Sequence, residues 1–219
     1  MADFLGRSAQ SLISNGGVAI PGTNLRQELV TEENVQRWVT EGKVFQSSVG
    51  TVNTPASFLG AVVAVATPEW AIQIPAGKLV VPLEVALSVI TCAAGVWNGP
   101  VLIMASNNIG NGTSSAGTDI NVNPAFGTGS SGLVVRITYT GAGTTATSPV
   151  ELFRFGVATA QNPVLLGAPQ PPLWSYKTHL APHIGQTGAM STFQVNTGQA
   201  GAATGYIQVT YGVFNMGDV

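Results

Sequence analysis

Charge is what this 219-residue chain has least of. Eight Lys and Arg and ten Asp and Glu make up 8% of it, where a folded monomer of this size carries about a quarter. Between Glu84 and Arg136 the sole formal charge is Asp119. A surface this poor in charge is made of Ser, Thr, Asn, Gln and Gly, or it is apolar and covered by other copies of the chain. The eight basic residues (Arg7, Arg26, Arg37, Lys43, Lys78, Arg136, Arg154 and Lys177) are scattered and the net charge is -2. That excludes a phosphate-binding patch and predicts weak or no direct contact with nucleic acid. The single cysteine excludes an intrachain disulfide and a cysteine-based zinc site. Cys92, in Val-Ile-Thr-Cys-Ala-Ala, reads as a small buried hydrophobe, with an interchain disulfide or reactive thiol as the other readings. No uninterrupted apolar run is long enough for a membrane helix. The opening Met-Ala-Asp-Phe-Leu-Gly-Arg-Ser has no basic segment followed by a long apolar one, so a secretory signal is not expected and synthesis in a cytoplasm is.

Apolar residues are present in ordinary measure, 45%, beside 27 Gly and 13 Pro. That is enough for a core, and it argues against intrinsic disorder, which needs low hydrophobicity and high net charge. With Glu, Lys and Arg scarce, the composition favours strands and turns. Low net charge on a charge-poor surface also promotes association.

Charge divides the chain. Residues 1–43 hold nine of the eighteen charges and read as an arm with short helices. Phe4, Leu5, Ala9, Leu12 and Ile13 form one apolar face. Thr31 is an N-cap for a second helix with Glu32 and Glu33 in its first turn, and Val35, Trp38 and Val39 at helical spacing before Gly42. From residue 44 the period becomes two. Leu79, Val81, Leu83, Val85, Leu87 and Val89 alternate with Val80, Pro82, Glu84, Ala86 and Ser88, which predicts one apolar strand face. Pro82 requires that strand to bulge or to lie at an edge there. Trp70, Ile72 and Ile74 alternate likewise, as do Leu133, Val135, Ile137 and Tyr139. Phe153, Phe155 and Val157 are set against Leu152 and Arg154, and Ile207, Val209, Tyr211 and Val213 against Tyr206, Gln208 and Thr210. Less regular strands are expected at 44–49, 58–66, 100–105, 163–167, 173–178 and 190–195. Some eight to eleven strands with no helix between them predict an all-β antiparallel sandwich over 44–219. No fixed-period repeat argues for a propeller or solenoid. Residues 106–132, nearly uncharged and poor in bulky groups, read as one long loop. Such loops are functional or disordered, and a surface excursion touching neighbours, solvent or a host ligand is expected.

Catalytic patterns are missing. His179 and His183 are four apart, but Pro182 intervenes and no Glu follows His179 as in a zinc protease. Two His and one Cys leave few nucleophile–base pairs, and no Gly-x-Ser-x-Gly elbow occurs. A glycosidase pair could come only from Glu69, Glu84, Asp119, Glu151 and Asp218. The Gly-rich tract 110–132 lacks the lysine of a phosphate loop. Asn111-Gly-Thr113 matches a glycosylation acceptor by chance in a Thr/Asn-rich chain. Trp70, Trp97, Trp174, Tyr176, Tyr206 and Tyr211 read as core or sheet-face residues, without the interleaved Arg and Lys of a nucleic-acid platform. Pro169-Gln-Pro-Pro-Leu-Trp174 is an extended connection, with a proline-module ligand as the alternative. No catalytic, cofactor-binding or metal-ligating residue is assigned, and no cofactor is expected.

A partly helical arm followed by some eight strands with long polar loops resembles the single jelly-roll coat proteins of small icosahedral viruses and phages. The resemblance covers 44–219 in architecture and composition. It implies two four-stranded sheets packed face to face and wedge-shaped subunits buried against their neighbours. It also implies a partner that is the chain itself, other virion proteins besides, no membrane, and a place in the virion after assembly in the host cytoplasm. The arm departs from the Arg/Lys-rich type that packages RNA, which implies genome contact that is weak, handled by another component, or confined to Arg7, Arg26 and Arg37. A phage decoration, spike or fibre module, or an adhesin-like subunit, is the alternative, with 106–132 at an exposed tip. A carbohydrate-binding or hydrolytic β-sandwich is the third reading.

Overall fold

Two antiparallel sheets account for the alternating segments of the chain. The computed structural model describes residues 34–51, 53–58, 66–92, 95–105, 113–127, 129–141, 147–154, 157–159, 174–177, 184–185, 191–199 and 203–217. Two compact units divide the chain, Met1–Glu41 and Gly42–Val219. In the first, α1 (Asn34–Thr40) is a two-turn helix. Trp38 and Val39 are half-buried on it, and Arg37 pairs with Glu41 one turn on at 3.3 Å. The expected helix at Phe4–Ile13 and the cap at Thr31 lie outside the described residues.

The second unit runs through β1 (Val44–Val49), β2 (Ala56–Phe58), β3 (Trp70–Gln73), β4 (Lys78–Cys92), β5 (Gly95–Ala105), β6 (Thr113–Ala116) and β7 (Asp119–Asn121). It continues through β8 (Val134–Gly141), β9 (Val150–Arg154), β10 (Val157–Thr159), β11 (Trp174–Lys177), β12 (Ile184–Gly185), β13 (Thr192–Gln199) and β14 (Ala203–Asn215). One sheet has the order β11-β4-β14-β1-β7, with β12 also on β4 and β2 on β14. The other is β10-β5-β13-β3-β8-β6, with β9 also on β5. The chain crosses between the sheets from β1 to β3, back to β4 and over to β5. It passes through β6 of the second sheet, β7 of the first and β8 of the second, keeps to the second for β9 and β10, returns for β11 and β12, and crosses twice more for β13 and β14. This is the path of a jelly roll. The fold is therefore an all-β antiparallel sandwich, and β6, β7 and β8 are additions that widen both sheets along the same side.

Alternation builds the core between the sheets. Phe45, Val49, Val85, Leu87, Ile207, Val209, Tyr211 and Val213 of the first sheet pack against Trp70, Ile72, Val135, Phe193 and Val195 of the second. At Gly205 an added Cβ would run into the Ser88 carbonyl oxygen of the neighbouring β4.

Four sequence expectations need correction. Residues 79–89 do not keep one apolar face. β4 pairs Glu84 with Thr210 but Pro82 with Tyr211, so Leu83 is an extra residue in a bulge that inverts the phase. Val80 joins Val85 and Leu87 in the core, while Leu79 and Val81 turn to the other face. Pro82 thus sits at a bulge of a central strand rather than at an edge. Tyr139 leaves the face of Val135 because Thr138 takes a positive φ of 52°, and it packs with Ala71 and Ala105 instead. Leu152 and Phe153 both pack on the core, because the β5–β9 register shifts between them. Finally, 106–132 is not one loop: its described part forms β6, β7 and a 3-10 turn at Pro124–Phe126. The strand expected at 163–167, the Pro-rich stretch before Trp174, and His179 and His183 lie outside the described residues.

Candidate functional site

The charge-poor tract folds around its one charge. Ile120 lies opposite Gln46 of β1, so its neighbours Asp119 and Asn121 turn inward and are buried, while Ile120 faces out. The Asp119 side chain, 4% exposed, is an acceptor with four donors. Tyr211 donates its hydroxyl to Oδ2 at 2.8 Å and Ser130 donates Oγ–H to Oδ1 at 2.8 Å. Ser131 donates both its hydroxyl and, at 3.3 Å, its backbone N–H to Oδ2. One carboxylate thereby ties the returning segment 129–133 to the first sheet.

Short polar side chains fix the turn between. Asn121 donates Nδ2–H to the Gly42 carbonyl at 2.6 Å and accepts from the Asn123 N–H at 2.9 Å. Asn123 caps the 3-10 turn, its Oδ1 accepting from the Ala125 N–H at 3.0 Å, with Pro124 in the first position. Gly127 closes it at a φ of 65°. The result is a lateral edge on which Ile120, Val122 and Phe126 are 47%, 38% and 50% exposed. From Thr113 to Val135 the sequence carries no other charge than buried Asp119, and Lys43 follows the Gly42 that Asn121 and Phe126 meet.

Burial, and then the neighbouring charge of Asp119, push the Tyr211 phenol far above its usual 10. Burial also raises Tyr139, against smaller opposing effects of Ser114, Arg136 and Gln73. Unfolded tyrosine loses its proton near pH 10, and these two hold theirs beyond it. Their contribution is complete below pH 10 and is lost as pH rises above it, at up to about 1.4 kcal/mol per pH unit for each group. Denaturation midpoints followed from about pH 9 to 12 should therefore fall steeply above 10, and Tyr211→Phe should flatten that limb while lowering the plateau by about 1 kcal/mol.

A second polar constellation lies on the outward face of the other sheet. Arg136, Ala71, Gln194 and Ile103 form one cross-strand row over β8, β3, β13 and β5. Gln194 and Asn196 are buried, and their amides meet at 3.4 Å. Gln194 Nε2, Asn196 Oδ1 and Arg136 Nε are buried without a hydrogen-bond partner. Close by in sequence, buried Glu69 accepts the Thr197 hydroxyl at 2.6 Å. Arg136 and Gln194 thus leave an N–H donor each, and Asn196 an acceptor oxygen, unpaired among buried side chains.

Of the carboxylates that the sequence offers as a pair, Glu69 precedes β3, Glu84 is on β4, Asp119 on β7 and Glu151 on β9. Glu151 forms a bidentate pair with Arg154 at 2.7 and 2.9 Å on the surface, which lowers its pKa. Asp218 lies outside the described residues. Among the described residues no three His, Cys, Asp or Glu gather as metal ligands, and no helix is long and apolar enough to cross a membrane. Sequence reasoning missed the Asp119–Tyr211 pair, whose partners are 92 positions apart. It could have placed Gln194 and Asn196 outward, because they alternate with Phe193 and Val195. By fold the molecule is a jelly-roll sandwich, and its outermost strand β7 belongs to a tract with one buried charge. No family model, curated protein or solved structure matches the chain.

Proposed function

We propose that this chain is a viral or phage coat protein that assembles with copies of itself into a shell. The carrying observation is the lateral edge of the jelly roll, where three large apolar side chains stand exposed on a tract without surface charge. Cores of permanent interfaces exclude charge and concentrate apolar and aromatic groups. The jelly-roll path supports the same reading, since that architecture serves shells as well as lectin-like domains. The scattered basic residues support only weak genome contact, and the place of action that follows is the virion. The fibre or adhesin reading needs a projecting tip at 106–132. The described part of that segment is instead strands and a capped turn laid along the sandwich, which favours the shell.

Light scattering and negative-stain imaging of the purified chain at micromolar concentration test this. Closed shells, or discrete oligomers that close into them, are expected. A clean monomer overturns the proposal, and a trimer or open filament replaces it with the fibre reading.

A further inference from the structure

We propose that Gln194, Asn196 and Arg136 hold one ordered water molecule on the outward face of the second sheet, a site independent of the assembly reading above. Phe193 and Val195 of β13, Trp70 and Ile72 of β3 and Val135 of β8 pack in the core. Gln194 and Asn196, Ala71 and Arg136 therefore stand on the opposite face. Gln194 and Ala71 are fully buried there, and Asn196 and Ile103 nearly so. Other buried polar groups nearby have partners: Thr197 donates to Glu69, and the Tyr139 hydroxyl meets Ser114 and Gln73. Gln194 Nε2, Asn196 Oδ1 and Arg136 Nε have none.

The two amides select the occupant. They meet through Asn196 Nδ2 and Gln194 Oε1 at 3.4 Å, which uses one nitrogen and one oxygen and leaves one of each. Turning both amides over exchanges the atoms and leaves the same remainder, and turning one alone brings like atoms together. An anion would accept from the amide nitrogen and be repelled by the amide oxygen; a cation would do the reverse. Only a group that accepts and donates at once satisfies both. With Gln194 and Ala71 closed to solvent, the occupant is one that needs no open entrance, and water is the smallest such group. Buried waters make about three hydrogen bonds to groups otherwise unsatisfied, and Arg136 supplies the third. Arg136 and Gln194 both lie opposite Ala71 in register. Two strand spacings set their Cα atoms about 10 Å apart, with a single methyl group between, a span that two long side chains close with a water in the middle. The water then accepts from Gln194 and Arg136, donates to Asn196, and joins β13 to β8 across β3.

A high-resolution crystal structure of the chain and a double-mutant cycle read by the urea midpoint test this. One oxygen peak within about 3.2 Å of Gln194 Nε2, Asn196 Oδ1 and Arg136 Nε is expected. No peak, elongated density for a larger molecule, or direct pairing of these atoms with other protein groups overturns the proposal. Arg136→Met and Asn196→Leu each remove one partner of the water. Since Arg136 Nε and Asn196 Oδ1 share no direct bond, the two couple through it. Each variant should lower the midpoint, and the double variant should lower it by clearly less than the sum. A double variant at the full sum overturns the three-way bridge. If either variant fails to fold, Arg136→Lys and Asn196→Ser take their places in the same cycle, with the same two outcomes.

Discussion

Trp70→Ala should lower the stability of the sandwich by about 4 kcal/mol, near the top of the range for single substitutions. Trp70 is fully buried and is the point at which the two sheets are joined by ring contacts. Its indole meets Phe193 edge-on, with centroids 5.6 Å apart, and Tyr211 of the opposite sheet at 5.8 Å. Such pairs add about 1 kcal/mol each beyond area burial. The indole N–H donates to the buried Ser47 hydroxyl at 3.1 Å, so truncation removes that hydroxyl's donor in a dry site as well. With an m-value of about 2 kcal/mol per molar urea for a domain of this size, the midpoint followed by circular dichroism should fall by about 2 M. Trp70→Phe separates the contributions: it keeps most of the ring packing, loses the hydrogen bond, and should cost about half as much. A loss below about 1 kcal/mol for alanine would show that the sheets do not meet at this residue.

The sandwich was legible because half-buried strands write their burial into every second residue. Trp70, Ile72, Val135, Ile207 and Val209 all point to the core as their alternation requires. Alternation fails where the backbone gains a residue or changes hand. Leu83, Leu152 and Thr138 are such places, and only Pro82 announced one of them, because proline cannot complete a ladder. The tract 106–132 was illegible for a different reason. Its Asn, Ser, Thr and Gly residues have no hydrophobic period, and what orders its described part is a set of short-range bonds from Asn121, Asn123, Ser130 and Ser131. Such bonds mark turns without saying that the turn will pack on a sheet. Nor could spacing reveal Tyr211 as the partner of Asp119, since that contact exists only once β14 and β7 flank β1. The isolated charge was the readable clue: a lone carboxylate in an uncharged tract is either wasted on solvent or consumed inside, and here it is consumed.

Asp119→Ala should cost about 3 kcal/mol and should disable association before it unfolds the chain. Each hydrogen bond to a charged acceptor contributes about 1.5–3 kcal/mol, but the four donors do not add. Ser130 is exposed and Ser131 half-buried, so their hydroxyls turn to water once the carboxylate is gone. Tyr211 is buried and keeps only the Ser131 hydroxyl as a hydrogen-bond neighbour, and the loss of the carboxylate there dominates. Asp119→Asn keeps the size of the side chain and one acceptor oxygen, and should cost about half as much. Both variants weaken the tie between segment 129–133 and β7, the strand that carries Ile120, while the Asn121 and Asn123 bonds of the Phe126 turn remain. Half-association should therefore need more protein in either variant, even at a temperature where circular dichroism reports a full sandwich. Phenolate absorbance gives a readout that general destabilisation would not move in this direction. Without the neighbouring negative charge, Tyr211 should ionise at lower pH than in wild type while remaining above its usual 10, because burial is the larger cause and persists. A Tyr211 titration unchanged in folded Asp119→Ala would mean that carboxylate and phenol are not in contact, and the edge would then be held by something other than its one charge.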